Sequence, residues 1–471
     1  MGVGWAAIKP QPAPDSTSSA RSRPSDTLAD TASAGARVYQ YIAYPTLQVL
    51  TWPIEIVLVP VVRAAISPTQ EPIRYFFNEN VIDRVRDLVS IGKEEQILLY
   101  PTLSLAPGTG TRTGVTLRDN ALFGSQTDQL VAYLQYYVNG DYKARAYVTA
   151  QNLLGTPFMG KASAYLARMK NASANQPGTD DFFFYSDSSE QYQFSLMYPL
   201  PLSFWAYGDI LLRPTRLGNA PPGGGDDNIP VSNFFLDPQG VLSPAYRGIG
   251  QSFLDRSWSA GLQRDTRNNP NVTLTGDWLN VSYRYHDVDL SHDYQEWNGQ
   301  YTKYFQLGSE DYEVTPAEER ELKTMSVDKF LQQLEYEKLR HEIFSRKVVA
   351  VHLYAAQSFE IPGNSMPIYG LQTLGNDTPL RGYDGDRFRD YTVAAISTEY
   401  RFPVLRLMDG TLFDEYGVSG HSWGDIDYLN YRNSWGFGVR VRRPDIFLFR
   451  AELGFHGLSG FAINMAVDAP F

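Results

Sequence analysis

Histidine and acidic side chains crowd one short stretch of the chain, residues 285–294, with the sequence YHDVDLSHDY. Such groups can bind a metal ion or move protons. However, the spacing of His286 and His292 among three aspartates matches none of the common metal-ligand patterns. The chain has no cysteine and no G-x-S-x-G, H-E-x-x-H or phosphate-loop motif. We therefore predict no metal site, no cofactor and no enzymatic activity.

A second polar stretch, TPLRGYDGDRFRD at residues 378–390, lies between two strand-like segments and contains three arginines and three aspartates. A surface turn needs far fewer charges. An arginine can bind a carboxylate through two hydrogen bonds and stack on an aromatic ring at the same time. The composition therefore predicts a loop that lies in a polar, confined space.

The composition limits the partners and the fold class. The 471 residues carry a net charge of −11, which argues against nucleic acid because there is no basic field to neutralise phosphates. The mean hydropathy is −0.32. That value fits a soluble protein, and it also fits a membrane barrel, because half of the strand residues in such a barrel face a polar lumen. The most apolar segment, 47–66, carries two prolines, a glutamate and an arginine, so we predict no transmembrane helix.

The first part of the chain lacks strand patterns. Residues 1–37 are rich in Ser, Ala, Pro, Asp and Thr and have little to bury, so we predict that they are disordered. Residues 38–94 are more apolar, and their second half has apolar residues at helical spacing. We predict short amphipathic helices on the periplasmic side here; an ordinary packing helix beneath a domain is the alternative.

From about residue 95 the apolar period changes to two, as in SWGFGVRVRR at 434–443 and FAINMAVDAPF at 461–471. Two architectures have such strands: a soluble sandwich with apolar faces inside, and a membrane barrel with apolar faces outside. The segments are about 9–14 residues long, against about 9–11 needed to cross a bilayer and about 5–6 in typical globular strands. We predict an all-β fold, a sixteen-stranded antiparallel transmembrane barrel over 95–471 with a short helical N-terminal segment.

The predicted strands alternate between tight turns and long loops, which is typical of membrane barrels. They are 95–107, 113–123, 129–139, 142–154, 159–171, 189–199, 202–213, 256–267, 277–288, 299–307, 346–359, 391–403, 409–420, 434–444, 447–457 and 461–471. One connection, 315–345, is predicted to be helical, because Thr315 can cap a helix that has Pro316 at its first position and Glu318 closing a capping box. Strand parity puts this insertion on the side of the tight turns, the periplasmic side.

Several motifs carry a family resemblance. The chain resembles the Omp85 superfamily of outer-membrane barrels, in particular the bacterial surface antigen (D15) type. LRGYDGDRFRD is similar to the family's loop-six motif, LFDEYG at 412–417 to its aromatic-x-acid-x-Gly motif, and RDTRNNP at 264–270 to its Arg-Asp-x-Arg stretch. The resemblance covers about 95–471. Family members usually carry periplasmic POTRA modules, and the 94 residues before the barrel show no strand pattern, so the chain resembles the POTRA-less branch.

The resemblance implies which residues form the functional site. The loop-six motif, Leu380, Arg381, Gly382 and Tyr383, is expected to fold back into the lumen, where Arg381 meets an acidic side chain of the wall. We expect Glu415 as this partner and Asp414 as its rival, because alternation allows one of them to point inward. The C-terminal assembly signal expected from the resemblance consists of Phe461, Ile463, Met465, Val467 and Phe471.

Three functions remain open at this stage. The first is protein assembly or translocation in the bacterial outer membrane, through a weak seam between the first and last strands that exposes unpaired backbone groups. The second is a structural or complex-forming barrel, such as a dimer, and the third is a passive pore. The expected partners are outer-membrane lipid and lipopolysaccharide, with client outer-membrane proteins or other envelope proteins for the first function and a homo-oligomer for the second.

Overall fold

A computed structural model of the chain gives the architecture. It describes residues 90–91, 97–106, 110–119, 122, 128–137, 140–175, 182–219, 250–270, 272–307, 346–375, 379–405, 408–429, 431–442, 447–457 and 460–467. The predictions for the disordered segment 1–37, the helical insertion 315–345 and Phe471 lie outside these residues. Nearly all of the predicted segment 38–94 also lies outside them. Its described residues, Ser90–Ile91, form a short strand rather than a helix, because they hydrogen-bond to the start of the next strand.

The described chain is built from β-strands. They are β1 (Ser90–Ile91), β2 (Ile97–Ala106), β3 (Gly110–Asp119), β4 (Gln129–Tyr137), β5 (Tyr142–Ala150), β6 (Met159–Asn175), β7 (Phe182–Pro199), β8 (Phe204–Asn219), β9 (Ser252–Asp265), β10 (Gly276–Val288), β11 (Tyr294–Gln306), β12 (Val348–Glu360), β13 (Gln372–Leu374), β14 (Phe388–Asp390), β15 (Thr392–Leu405), β16 (Met408–Gly420), β17 (Arg432–Arg442), β18 (Phe447–His456) and β19 (Gly460–Val467). Three short 3-10 turns, Leu153–Gly155, Pro201–Ser203 and Ile368–Gly370, accompany them. Among the described residues, no helix is long and apolar enough to span a membrane.

Seventeen of these strands belong to one sheet, in which neighbouring strands run antiparallel. Strands β2 to β12 pair in sequence order, β12 pairs with β15, and the order continues from β15 to β19. The last strand, β19, pairs with β2. The prediction of an all-β, antiparallel architecture is confirmed.

Several strands are longer than the sequence pattern predicts. The predicted segments 159–171, 189–199 and 202–213 extend to Met159–Asn175, Phe182–Pro199 and Phe204–Asn219. The added ends, such as residues 186–188 of β7, lack apolar alternation but keep their backbone pairing with the adjacent strands. Periodicity of side chains therefore underestimates strands whose ends project beyond an apolar environment.

The two faces of the sheet settle which of the two predicted architectures applies. Along β7, Phe194 and Leu196 are 47% and 37% exposed, whereas Ser195 between them is 2% exposed. Residues that share the outward direction are Val115, Leu134, Tyr192, Ile210, Leu212, Trp258, Leu262, Val281, Tyr283, Leu353, Ile396, Trp435, Phe437, Phe461 and Ile463. Buried polar residues on the other face include Asp209, Asp255, Ser257, Gln263, His286, Thr302, Glu399, Glu415, Glu452 and Asn464. An apolar outside with a polar inside is the arrangement of a membrane barrel and the reverse of a sandwich.

We expect Phe194→Arg to destabilise the protein in lipid vesicles by about 2–4 kcal/mol, because the new charge would face hydrocarbon. Gln193→Arg, one residue earlier on the inward face, is the matched control and should cost much less. Urea unfolding in phospholipid vesicles measures both variants. Equal losses for the two variants would contradict the assignment of the outer face.

The connection between β12 and β15, residues 361–391 (here called loop six), folds into the barrel interior. Met366, Ile368 and Leu371 pack against apolar residues of β7 to β11, including Tyr185 and Phe253. Further along loop six, Leu374, Leu380 and Phe388 pack against Tyr354, Ala356, Val393 and Ala395 of β12 and β15. Loop six therefore contacts the strands that lead into and out of it and the preceding strands β7 to β11.

A glycine sets the shape of this loop. Gly375 follows β13 and has φ of +132°, and a Cβ built there would lie 2.2 Å from the carbonyl oxygen of Asp384. Both the left-handed backbone and the contact with another backbone segment require glycine at this position. The short hairpin of β13 and β14 thus brings the LRGY motif to a fixed place in the lumen.

Candidate functional site

Backbone hydrogen bonds hold the tip of loop six against the barrel wall. Leu380 has a left-handed φ of 116° and is fully buried. The Gly382 N–H donates to Ser434 Oγ at 2.6 Å, and the Arg381 carbonyl accepts from Asn464 Nδ2 at 2.9 Å. The tip is thereby tied to β17 and to the last strand, β19.

The Arg381 side chain reaches three glutamates at once. Its Nε donates to Glu415 Oε1 at 2.8 Å, and its Nη1 donates to Glu399 Oε2 at 2.7 Å and to Glu452 Oε1 at 3.2 Å. The guanidinium carbon also lies 3.7 Å from the centre of the Phe413 ring. A planar guanidinium is the side chain suited to this combination of several carboxylates and one aromatic face.

Two further arginines balance the charge of these acids. Arg440 Nη2 donates to Glu399 at 2.8 Å and to Glu452 at 3.1 Å, and Arg401 Nε donates to Glu399 Oε1. Three arginines and three glutamates thus form one network, here called the Arg381 cluster: Arg381, Arg401, Arg440, Glu399, Glu415 and Glu452. It connects loop six with strands β15 to β18.

The electrostatics of the cluster favour the charged state of its central group. Burial alone would lower the pKa of Arg381, but the charges of Glu415, Glu399 and Glu452 raise that pKa above its ordinary value. Removing one partner of a buried ion pair leaves the others uncompensated, which costs about 3–5 kcal/mol. The cluster therefore depends on all of its members, and Arg381 is the member that loop six supplies.

Glu415 also binds the backbone of the loop tip. Its Oε2 accepts from the N–H groups of Leu380, at 2.9 Å, and of Arg381, and its Oε1 accepts from Ser397 Oγ at 3.0 Å. Glu415 is 2% exposed, on the inward face of β16. The rival Asp414 lies on the other face and accepts from Asn433 Nδ2 at 2.9 Å. The structure thus brings Arg381 together with Glu415 and not with Asp414.

The remaining two motif residues fit a close contact with β18. A Cβ at Gly382 would lie 2.5 Å from the Phe455 carbonyl oxygen, so no side chain fits there. Tyr383 stacks on His456 with ring centres 4.8 Å apart and meets Phe388 edge-on at 4.9 Å. His456 Nδ1 is 2.6 Å from the Gly382 carbonyl oxygen, so the imidazole N–H donates to this oxygen.

Another predicted motif lies in the turn between β9 and β10. In RDTRNNP, Arg267 binds Asp265 through two hydrogen bonds, Nε to Oδ1 at 2.9 Å and Nη2 to Oδ2 at 2.7 Å. Asp265 is the last residue of β9. The same turn approaches the Arg381 cluster, because Arg401 Nη1 lies 3.5 Å from the Thr273 carbonyl oxygen.

The histidine-rich stretch is bonded to neighbouring strands and to the start of loop six. His286 Nδ1 lies 2.9 Å from Asp255, and its ring stacks on Tyr294. His292 contacts Ser365 at the start of loop six, and its Nε2 lies 3.1 Å from the acceptor Gln251 Oε1. Within the described residues, no group of His, Cys, Asp and Glu could hold a metal ion.

The predicted C-terminal signal is partly described. Phe461 and Ile463 of β19 point outward, 62% and 51% exposed, and Met465 follows them with the same parity. The backbone of Val467 pairs with Leu103 of β2. The outward row gives β19 an apolar face toward lipid.

Sequence reasoning found Arg381 and Glu415 but missed the other acids of the cluster. Glu399 and Glu452 occupy the polar positions of the alternating stretches STEYRF and FRAELGF, so their inward direction was readable. Their distance from one another in sequence gave no sign that one arginine would bind both. Gly454 was also missed, although a Cβ there would lie 2.8 Å from the Arg381 carbonyl oxygen.

A family model decides what kind of barrel this is. The model described as the Omp85 superfamily domain matches residues 231–458, a range that includes loop six and the whole Arg381 cluster. The chain contains an Omp85 domain. This match confirms the resemblance to the Omp85 superfamily, and the apolar outer face of the sheet fits an Omp85-type outer-membrane barrel.

Comparison with solved structures gives matches at low sequence identity. BamA from Haemophilus ducreyi lacking POTRA domains 1-3 matches with a TM-score of 0.52 at 13% identity, covering 79% of this chain and 70% of that one. CdiB from Acinetobacter baumannii and CdiB from Escherichia coli each give a TM-score of 0.47 at 12% identity, covering 79% and 80% of this chain and 59% and 63% of theirs. No curated protein sequence matches the chain. At these identities the BamA match shows the fold alone.

Proposed function

We propose that this protein is a sixteen-stranded, closed barrel in the outer membrane of a diderm bacterium that assembles or translocates client proteins through the seam between β2 and β19. The observation that carries the proposal is that the sheet meets itself at this seam, where β19, the last described strand, pairs with β2. Met465 lies opposite Leu105, Ala466 opposite Ser104, and Val467 opposite Leu103. On their other sides, β19 pairs with β18 and β2 pairs with β3.

A seam between the first and last strands has a direct physical consequence. Backbone N–H and C=O groups inside a bilayer need hydrogen-bond partners, because no water is present to replace them. Opening the seam exposes the edge of β2 as a template for another strand. A client strand that pairs with this edge regains the lost hydrogen bonds.

Loop six supports the same function. The Arg381 carbonyl accepts a hydrogen bond from Asn464 of β19, and Gly382 packs against Phe455 of β18. The position of the last strand is therefore coupled to the Arg381 cluster. In this proposal the cluster holds the seam strand at the correct height while the seam itself opens.

The alternatives are a structural or complex-forming barrel, such as a homodimer, and a passive pore. Loop six packs across the interior against β7 to β12 and β15, which favours a gated barrel over an open passive pore. The proposed partners are outer-membrane lipid, lipopolysaccharide and unfolded client proteins of the envelope.

A disulfide across the seam tests the proposal. Leu105→Cys with Met465→Cys joins two residues that are directly opposite in an antiparallel ladder, where the Cα separation of about 4.5–5.5 Å suits a disulfide. We expect the oxidised variant to lose most of its ability to insert a urea-unfolded small outer-membrane barrel into vesicles, and reduction to restore it.

The matched control is Leu117→Cys with Ala132→Cys, which joins opposite residues of β3 and β4 away from the seam. Its oxidation should leave insertion unchanged. Insertion at the wild-type rate by the oxidised seam variant would contradict the proposal, and would leave the structural barrel as the better interpretation.

A further inference from the structure

The lumen faces of β3 to β6 have a charge pattern unlike the rest of the barrel interior. The cross-strand register aligns Thr116, Tyr133, Arg145 and Tyr165 in one row. Thr116 is 1% exposed, whereas its neighbour Val115 is 48% exposed, so this row points inward. The same parity assigns every second residue of these four strands to the lumen.

The inward positions of β3 to β6 combine one sign of charge with tyrosine. The charged residues are Arg112, Arg118, Lys143, Arg145 and Lys161. The tyrosines are Tyr133, Tyr137, Tyr147 and Tyr165. Among the described inward positions of these strands there is no aspartate or glutamate. We call these nine residues the basic wall.

Three aspartates lie at the margins of the basic wall. Asp128, before β4, accepts from the Gln151 N–H at 3.0 Å, and Asp141, before β5, accepts from the Lys170 N–H at 2.7 Å. On the next strand, β7, Asp187 faces Arg213 at 4.0 Å. The Arg381 cluster has a different charge pattern, because arginine and glutamate both occupy the inward positions of its strands.

Aromatic rings lie beside the cations along the height of the wall. Lys161 Nζ is 4.4 Å from the centre of the Tyr147 ring, and Lys143 Nζ is 5.5 Å from that of Tyr137. The register separates the levels of Tyr137 and Gln129 by eight residues of β4, which spans roughly 27 Å along the strand at about 3.4 Å per residue. Because strands of membrane barrels are tilted by about 35–45°, cations and rings alternate over roughly 20 Å of a bilayer core of about 30 Å.

We propose that the basic wall is a binding surface for a multivalent organic anion that carries sulfonate, phosphate or carboxylate groups on a planar ring system. A confined wall of one charge sign concentrates ions of the opposite sign, and rings of Arg and Lys line pores for anions and phosphate. Tyrosine rings stack against a planar ligand while the cations bind its charged groups. This site goes beyond the seam function and does not depend on it.

Pyranine, a planar pyrene that bears several sulfonates, is a probe with this chemistry. We expect the purified full-length protein in detergent to bind pyranine, measured by fluorescence anisotropy, and to bind it less tightly as salt concentration rises. The double variant Lys143→Gln with Arg145→Gln should weaken binding by about tenfold or more, because it removes two positive charges that attract the anionic probe at the centre of the wall. Heat-modifiable gel mobility shows whether each variant has folded.

The matched control is Arg168→Gln, which removes one charge from the exposed outer face of β6 and should leave pyranine binding unchanged. A cationic dye of similar size should not bind. The proposal is overturned if wild-type protein fails to bind pyranine, if the folded double variant binds as tightly as wild type, or if Arg168→Gln weakens binding equally. Each result is independent of client insertion, so it leaves the seam proposal as it stands.

Discussion

Arg381→Ala is expected to lower the free energy of unfolding by about 3–5 kcal/mol, because three buried glutamates would then face two arginines. Loop six would also lose its charged anchor and leave the wall of β15 to β18. Two measurements follow this change: the temperature at which the barrel loses its folded mobility on gels, and the rate at which trypsin cuts loop six at Arg387 or Arg389 in intact membranes.

Arg381→Lys should recover less than half of that loss. One ammonium group is a point charge, and it cannot reach Glu415, Glu399 and Glu452 together while stacking on Phe413. The control is Arg256→Ala, which removes a half-exposed ion pair with Asp289 and should cost about 0–1 kcal/mol. Equal stability of Arg381→Ala and Arg256→Ala would show that the Arg381 cluster does not hold loop six.

Gly454→Ala should displace loop six without touching any charge. The new Cβ would lie 2.8 Å from the Arg381 carbonyl oxygen and 2.8 Å from Gly382 Cα, and neither backbone atom can rotate away as a side chain does. We expect a stability loss of about 1–3 kcal/mol, as in other overpacked sites. Trypsin cleavage of loop six should also become faster in the same assay.

Gly299→Ala is the matched control for this substitution. Gly299 lies within β11, and its nearest neighbours are at 3.7 and 3.8 Å, which is ordinary van der Waals distance. It should change neither stability nor cleavage appreciably. If the two alanine variants have the same stability and cleavage rate, the close approach between loop six and β18 does not contribute to the free energy of unfolding.

Much of the fold could be predicted from the sequence, because the strands of a membrane barrel alternate apolar outward residues with polar inward ones. The stretch SWGFGVRVRR predicts a strand at 434–444, and the structure has β17 at Arg432–Arg442. Alternation also restricts the partner of Arg381 to one of two adjacent acids, and the structure places Glu415 there. The extended ends of β6 to β8 could not be predicted, since their pairing uses backbone groups that every sequence has.

The full composition of the Arg381 cluster could not be predicted from the sequence, because it is set by tertiary contacts. Glu399, Glu415 and Glu452 lie on β15, β16 and β18, and they meet only because the intervening strands curve around loop six. The meaning of Gly454 was hidden for the same reason: its lack of a side chain matters only where Gly382 approaches it. Alternation along a strand predicts which face of the sheet a residue occupies. It does not predict which residues of loop six contact it inside the lumen.

Photo-crosslinking in living cells tests the central claim, that clients use the seam, most directly. A photoreactive amino acid at Leu105 of β2 or at Met465 of β19 would lie in the seam, because these two residues are directly opposite each other. The proposal predicts adducts with envelope proteins from both positions. It predicts none from Leu134, an exposed residue of β4, which β3 separates from the seam strand β2. Adducts that form equally at Leu134, or at neither seam position, would contradict the claim.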